Sequence, residues 1–277
     1  MNAVTFAYHE VLPADSAEPS GFQSADAATY TVTPSLFEAH LDALVASIQA
    51  SSLRVVPATS DAPQAILTFD DGGVSAWLHA APALEARGLR GCFFITSRLV
   101  GTPGFLDVRQ IRDLSDRGHL IGSHSASHRG RMSRMPRERV RAEWRESVDA
   151  LENITGRRVS AASVPSGYSS RMVAEEADAE GIRYLYTQVP TTRAHMVGQC
   201  AVLGRYTVRR WTPPSTVGAL ASGDLRARTT QRAVWLAKQL PKALPGGLYA
   251  SVRRSAFRWS DTASAAASSI GPRQGGR

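Results

Sequence analysis

The chain has 277 residues, 43% of them hydrophobic, enough to bury a sizeable core, which excludes global disorder. No run of about 18 uninterrupted apolar residues exists, which excludes a spanning helix. The formal net charge of +8 is lopsided: residues 225–277 hold ten of the 32 Lys and Arg but one of the 24 acids, Asp261. Residues 1–224 are thus nearly neutral, so the charge gives no argument that the main body binds nucleic acid.

The opening MNAVTFAYHEVLPAD has neither a basic n-region nor a long apolar h-region. It does not read as a signal peptide, and a cytoplasmic location is expected. Ala3–Tyr8 reads as a buried strand, and residues 13–32, rich in Ala, Ser, Asp and Gly, as a surface loop. Thr33 and Pro34 open a helix as N-cap and first helical residue, with Phe37, Leu41, Leu44, Val45 and Ile48 on one face. Gln64–Phe69 is a second apolar strand and runs into Asp70-Asp71-Gly72-Gly73. A helical pattern then stops near Gly88, and Gly91–Ile95 is a third strand. Cys92 within it reads as a buried, inert thiol, and with Cys200 as the only other cysteine no disulfide framework is expected.

Asp107–Arg117 reads as a helix, His119–Gly122 as a short strand leading to His124, and Pro136–Thr155 as a helix with Val140, Trp144, Val148 and Leu151 inward. Val159–Val164 is a strand, Arg171–Glu180 a helix, and Ile182–Thr187 and Leu203–Val208 two further strands. Strands alternating with helices predict an α/β chain with a parallel sheet or barrel. His40, His79 and His119 read as surface positions. Residues 260–277 have the composition of a disordered tail.

In α/β folds, reactive groups collect where strands end. Two adjacent carboxylates after a buried strand, Asp70 and Asp71, are costly to desolvate unless an opposite charge holds them. In His124-Ser125-Ala126-Ser127-His128, helical backbone would put both imidazoles on one face. Two His and one carboxylate suffice to hold a catalytic zinc with an open position. Either motif alone is commonly a solvated turn or an exposed helical pair; together, after two strands of one α/β chain, they predict a metal site.

Thr68–Gly73 and Ser123–His128 resemble two signature motifs of the polysaccharide deacetylases, the nodulation-protein-type enzymes of carbohydrate esterase family four. A weaker match continues through Val164-Pro165-Ser166-Gly167. The resemblance runs from about Val4 to about Val208 and implies a distorted (β/α)7 barrel that hydrolyses the N-acetyl amide of an amino sugar. It implies Asp71, His124 and His128 as ligands of a divalent metal, usually zinc and in some members iron, cobalt or nickel. Asp70 would be the general base. Pro165, Ser166 and Gly167 would flank the oxyanion, with a backbone N–H near Ser166 as donor.

Most members take the general acid from a late Leu-x-His-type motif, which this chain lacks. Its opening Phe6-Ala7-Tyr8-His9-Glu10 resembles the first strand of a circularly permuted branch, so His9 is the expected acid, with His195 as the other candidate. The family's third motif begins with an Arg that orients the base. Ser163 stands there instead, and the Asp that partners that Arg has no counterpart. Arg205, from a neighbouring strand, is expected to take its place.

The expected organisation is a deacetylase barrel over 1–224, a basic helical extension over 225–259 and a tail over 260–277. The extension interleaves Trp235, Leu236, Leu240, Leu244, Leu248, Tyr249, Phe257 and Trp259 with Arg and Lys. Such a segment lies on an anionic membrane surface, packs on the barrel with its basic face in water or, as the least favoured of the three readings, binds nucleic acid. The expected partner is an acetylated carbohydrate. The competing functions are hydrolysis of another linear or cyclic amide on the same barrel, and a non-catalytic carbohydrate-binding relative.

Overall fold

The computed structural model describes residues 3–16, 19–49, 54–55, 64–167 and 169–239. Strands β1 (Ala3–Tyr8), β2 (Glu10–Val11) and β3 (Thr31–Val32) precede helix α1 (Pro34–Gln49). Strands β4 (Arg54–Val55) and β5 (Gln64–Phe69) lead to α2 (Ala81–Glu85), and β6 (Cys92–Ile95) to α3 (Val108–Asp116). Strand β7 (Leu120–Ser123) is followed by α4 (Arg137–Thr155), and β8 (Ala161–Ser163) by α5 (Arg171–Ala179). Strands β9 (Tyr184–Tyr186), β10 (His195–Val197), β11 (Cys200–Leu203) and β12 (Tyr206–Thr207) precede α6 (Pro214–Ser222) and α7 (Leu225–Gln239).

The main sheet runs β10-β11-β9-β8-β7-β6-β5-β1-β12, with β4 also on β5. Every pairing in it is parallel except β10 with β11. The helices are the crossovers that parallel neighbours require. Strand β1 sits between β5 and β12, in register Phe6 to Leu67 and Tyr8 to Phe69. The residue after β1, His9, is thereby set beside the residue after β5, Asp70. The Asp70 N–H donates to the Tyr8 carbonyl at 3.0 Å.

Side chains alternate across the sheet. Phe6, Tyr8, Leu67, Phe69 and Phe93 pack outward against the helices, on Leu41, Leu44, Leu84, Ile111, Trp144 and Val173. Ile66, Phe94, Tyr186 and Leu203 form a smaller cluster on the other face. The inward residues expected on α4, Val140, Trp144, Val148 and Leu151, are all buried.

Three expectations change. Leu203–Val208 is not one strand: β11 joins β9 near one end of the sheet and β12 joins β1 at the other, so Gly204-Arg205 spans the seam where the curled sheet meets itself. A Cβ on Gly204 would lie 2.1 Å from the Val189 carbonyl oxygen, so only glycine passes there. His40 and His119 are buried rather than on the surface. The His40 Nε2 bonds the Thr212 carbonyl at 2.8 Å; the His119 Nδ1 accepts the Gly91 N–H and its Nε2 meets Glu85 Oε1 at 2.7 Å. Both have structural partners that a lone histidine in a sequence does not announce. Segment 13–32 is more than a loop: it includes a 3-10 turn at Ala27–Tyr30 and strand β3, and buries Ser20. Among the described residues no helix is long and apolar enough to cross a membrane. Of the basic extension, α7 is described; residues 240–277 lie outside the described residues.

Candidate metal and acid–base site

The expected residues come from four strand ends on one rim of the sheet. Asp70 and Asp71 follow β5, His124 and His128 follow β7, Pro165, Ser166 and Gly167 follow β8, and His9 follows β1. The Asp71 Oδ1 stands 3.3 Å from the Nε2 of His124 and 3.3 Å from the Nε2 of His128. One donor atom from each of the three lies within 4.8 Å of the others.

The two imidazoles do not share a helix. Residues 124–128 are irregular, and Ser125 (φ 62°) and His128 (φ 52°) take left-handed backbone. The convergence expected of helical spacing is produced instead by a bent loop. That loop is wired in place: the His128 N–H bonds Ser125 Oγ at 3.1 Å, and Glu143 of α4 accepts the N–H and the hydroxyl of Ser127 at 2.8 and 2.6 Å. The non-glycine residues with positive φ among the described residues are Asp71, Ser125, His128, Arg131 and Ser166. All lie on loops of this rim. Backbone of this kind costs about 1–3 kcal/mol per residue and persists where surrounding structure enforces it.

Ser163, at the position where the resemblance calls for Arg, links the two carboxylate systems. Its hydroxyl donates to Asp70 Oδ1 at 2.9 Å and stands 2.5 Å from His124 Nδ1. With its single proton on Asp70, the hydroxyl accepts from His124. The Ser163 carbonyl, 3.0 Å from the same nitrogen, can only accept. Both partners therefore hold a proton on Nδ1, so Nε2, which faces Asp71, is the nitrogen that would bind a metal once its own proton is given up.

Arg205 reaches in from the seam. Its guanidinium grips Asp70 with two bonds, to Oδ1 at 2.7 Å and Oδ2 at 2.8 Å, and also donates to Thr68 Oγ1 and the Thr187 carbonyl. Burial pushes the Asp70 carboxyl up, but Arg205 and His124 outweigh it and hold it down at about 2. Burial likewise pushes Asp71 up, and the bonds from His124 and His128 hold it far below the usual carboxylate range. His124 is raised: burial opposes the charge, and Asp70 and Asp71 overcome it.

His9 lies within the electrostatic reach of this cluster. Burial lowers its pKa, against the pull of Asp71 and Asp70. Its ring stacks on Tyr30 at 4.8 Å between centroids. His195, by contrast, is exposed on edge strand β10. Pro165 and Ser166 form a tight turn after β8, where Gly167 N–H bonds the Val164 carbonyl and Ser166 has φ 57°. A Cβ on Gly130, two residues past His128, would meet Ser166 Oγ at 3.4 Å, so this turn borders the histidine loop. Ser163, Glu143 and Tyr30 were not singled out as site residues from the sequence. The mismatch at Ser163 was the one signal available for any of them.

A curled parallel sheet with a two-histidine, one-carboxylate cluster beside an ion-paired carboxylate defines an α/β barrel with a candidate metal site at its strand ends. Residues 58–185, just under half of the chain, match the family model described as polysaccharide deacetylase. His9 and Arg205 fall outside the matched stretch, and the fold brings both to it. Among curated relatives, YxkH of Bacillus subtilis (strain 168), described as a polysaccharide deacetylase, is 23% identical over 137 residues, 50% of this chain and 49% of that protein. The chain thus spans about half of that relative's length. Among solved structures, IcaB from Ammonifex degensii aligns with TM-score 0.64 at 21% identity, over 80% of this chain and 97% of that one. A Streptococcus pyogenes deacetylase, PplD, solved with acetate, aligns with TM-score 0.60 at 18% identity, over 77% and 95%. These likenesses bear out the barrel fold.

Proposed function

We propose that this protein is a metal-dependent deacetylase that hydrolyses the N-acetyl amide of an amino sugar in a polysaccharide or a precursor, releasing acetate. The observation that carries this reading is the Asp71, His124 and His128 cluster set directly beside an Asp70 gripped by Arg205. The donor set fits a divalent ion: two imidazoles with Nε2 facing inward and one carboxylate, the pattern of a zinc site with an open position. When bound, such an ion would polarise the acetyl carbonyl and acidify water at the site.

Asp70 serves as the base, and its bonding states at which atom. Oδ1 already accepts from Arg205 and Ser163, whereas Oδ2 accepts from Arg205 alone. The remaining lone pair, on Oδ2, takes the proton from attacking water. A carboxylate held this low is ionised and free to accept a proton. His9 delivers the proton with which the amine departs. The left-handed turn at Ser166 offers backbone N–H to the developing oxyanion. The family model and the YxkH description support an acetylated polysaccharide as the substrate class, and the acetate bound to PplD supports acetate as the product. Retention of an ion-paired Asp70 speaks against a mere carbohydrate binder, which needs no base beside a metal.

The test is acetate release from N-acetylglucosamine oligomers by protein purified without chelator, with bound metal measured in parallel. Asp70→Asn and His9→Ala should retain metal and lose acetate release. Metal-loaded protein that releases no acetate from any acetylated sugar would move the assignment to another amide.

A further inference from the structure

We propose that Glu10 is a positioning residue: it fastens segment 19–30 to the loop after β5 and so fixes the imidazoles of His9 and His128, through Tyr30 and Phe22. The inference rests on the proposed roles of those two histidines.

Glu10 is buried at the start of β2, directly after His9. Its Oε2 accepts from the hydroxyls of Ser20 and Ser75, the latter at 2.5 Å. Each hydroxyl, its proton given to Glu10, is left as an acceptor. Ser20 Oγ takes the Ser75 N–H at 2.8 Å, and Ser75 Oγ takes the Val11 N–H at 3.1 Å. The circuit joins three segments distant in sequence: β2, the loop at Ser20 and the turn that follows Asp70-Asp71-Gly72-Gly73.

Space for the carboxylate is made by two glycines. A Cβ on Gly21 or on Gly73 would stand 2.1 Å from Glu10 Oε1. A side chain at either glycine would displace the Glu10 carboxylate from this circuit. A backbone bond from Gly21 N–H to the Gly104 carbonyl, at 2.8 Å, holds the same segment from its other side.

The fastened segment delivers two rings to the site. Phe22 packs on His128 at 4.5 Å between centroids and edge-on to Phe105 at 5.3 Å. Tyr30 stacks on His9 at 4.8 Å, 28° from parallel. One element thus braces two imidazoles that belong to different strand ends, and Glu10 ties that element down.

The test compares Glu10→Ala, Glu10→Gln and Ser20→Ala. The first readout needs neither metal nor turnover: the ring-current shifts that Tyr30 and Phe22 impose on the imidazole protons of His9 and His128, by NMR on metal-free protein. The second is zinc affinity without substrate, and the third is kcat and KM for acetate release. Glu10→Ala should lose both ring-current shifts, bind zinc about 10-fold or more weakly, and lose kcat with little change in KM. Glu10→Gln keeps an acceptor oxygen for both hydroxyls and should restore all three. If Glu10→Ala does not fold, Ser20→Ala should show reduced shifts in a folded protein.

Unchanged ring-current shifts in folded Glu10→Ala or Ser20→Ala overturn the inference, as does a Glu10→Gln as impaired as Glu10→Ala. Protein that shows the expected shifts but never releases acetate sinks the proposed function and leaves the positioning role standing.

Discussion

Arg205 and Asp70 face each other across the barrel seam in a two-pronged ion pair, 2.7 and 2.8 Å, with both side chains shut off from water. Removing one partner of such a pair leaves an uncompensated buried charge, at a cost of about 3–5 kcal/mol. Arg205→Ala should lose about that much stability in denaturant titrations, and turnover should fall about 100-fold because the base is no longer held in place. Arg205→Lys should not rescue either quantity, since one ammonium cannot span both oxygens. A lysine variant with wild-type turnover would remove the orienting role.

Ser163 couples that pair to the metal cluster, and its effect should be smaller. In Ser163→Ala the backbone carbonyl still accepts from His124 Nδ1, but the second acceptor is gone. Zinc affinity should drop about 10-fold, the lower end for an outer partner of a metal ligand. Ser163→Arg would set a second guanidinium against fully buried Arg205. The variant should be less stable than Ser163→Ala by calorimetry, whereas a free arginine site at Asp70 would leave it as stable.

Much of this was legible beforehand. Strand ends show in sequence because an apolar run must stop before a carboxylate, so Asp70, Asp71 and His124 could be placed without a structure. His9 and Arg205 could be named but not located. Their closeness to Asp70 depends on β1 inserting next to β5 and on the chain crossing the seam at Gly204, both pairings of residues far apart in sequence. The loop at 124–128 departs from the helical expectation because i, i+4 spacing fits a helix and also a loop with two left-handed residues. Glu10 and Ser20 gave no signal, since a polar residue after a strand looks the same whether solvated or buried in a circuit of hydroxyls.

The metal cluster predicts a stability effect separable from catalysis. An ion that binds the folded state alone stabilises it by about 2.7 kcal/mol at 100 times Kd. Zinc should therefore raise the melting temperature of the wild type and not that of Asp71→Asn or His124→Ala. A chelator should reverse the rise and stop acetate release together. An equal rise in Asp71→Asn would place the ion elsewhere.

Glu10 gives a pH dependence of opposite sign to that of an ordinary ion-paired carboxylate. Burial is the main cause that raises it from 4.5 to about 7, against the lowering bonds from Ser20 and Ser75, with Asp71 adding to the rise. Between those values the folded protein holds a proton that the unfolded chain has released. The associated stability is fully present below pH 4.5 and is lost as pH rises through 7. At about 1.4 kcal/mol per pH unit over that interval, the loss is about 3 kcal/mol. Glu10→Gln has no proton to lose. Whatever its stability relative to wild type at pH 5, the difference should move in its favour by roughly that amount at pH 8, measured by denaturant titration of metal-free protein. Bound zinc should shrink the change, because it offsets the negative charge of Asp71 that helps raise Glu10. A difference that stays constant from pH 5 to 8 would mean that the carboxyl ionises at its ordinary pH despite its burial between Gly21 and Gly73.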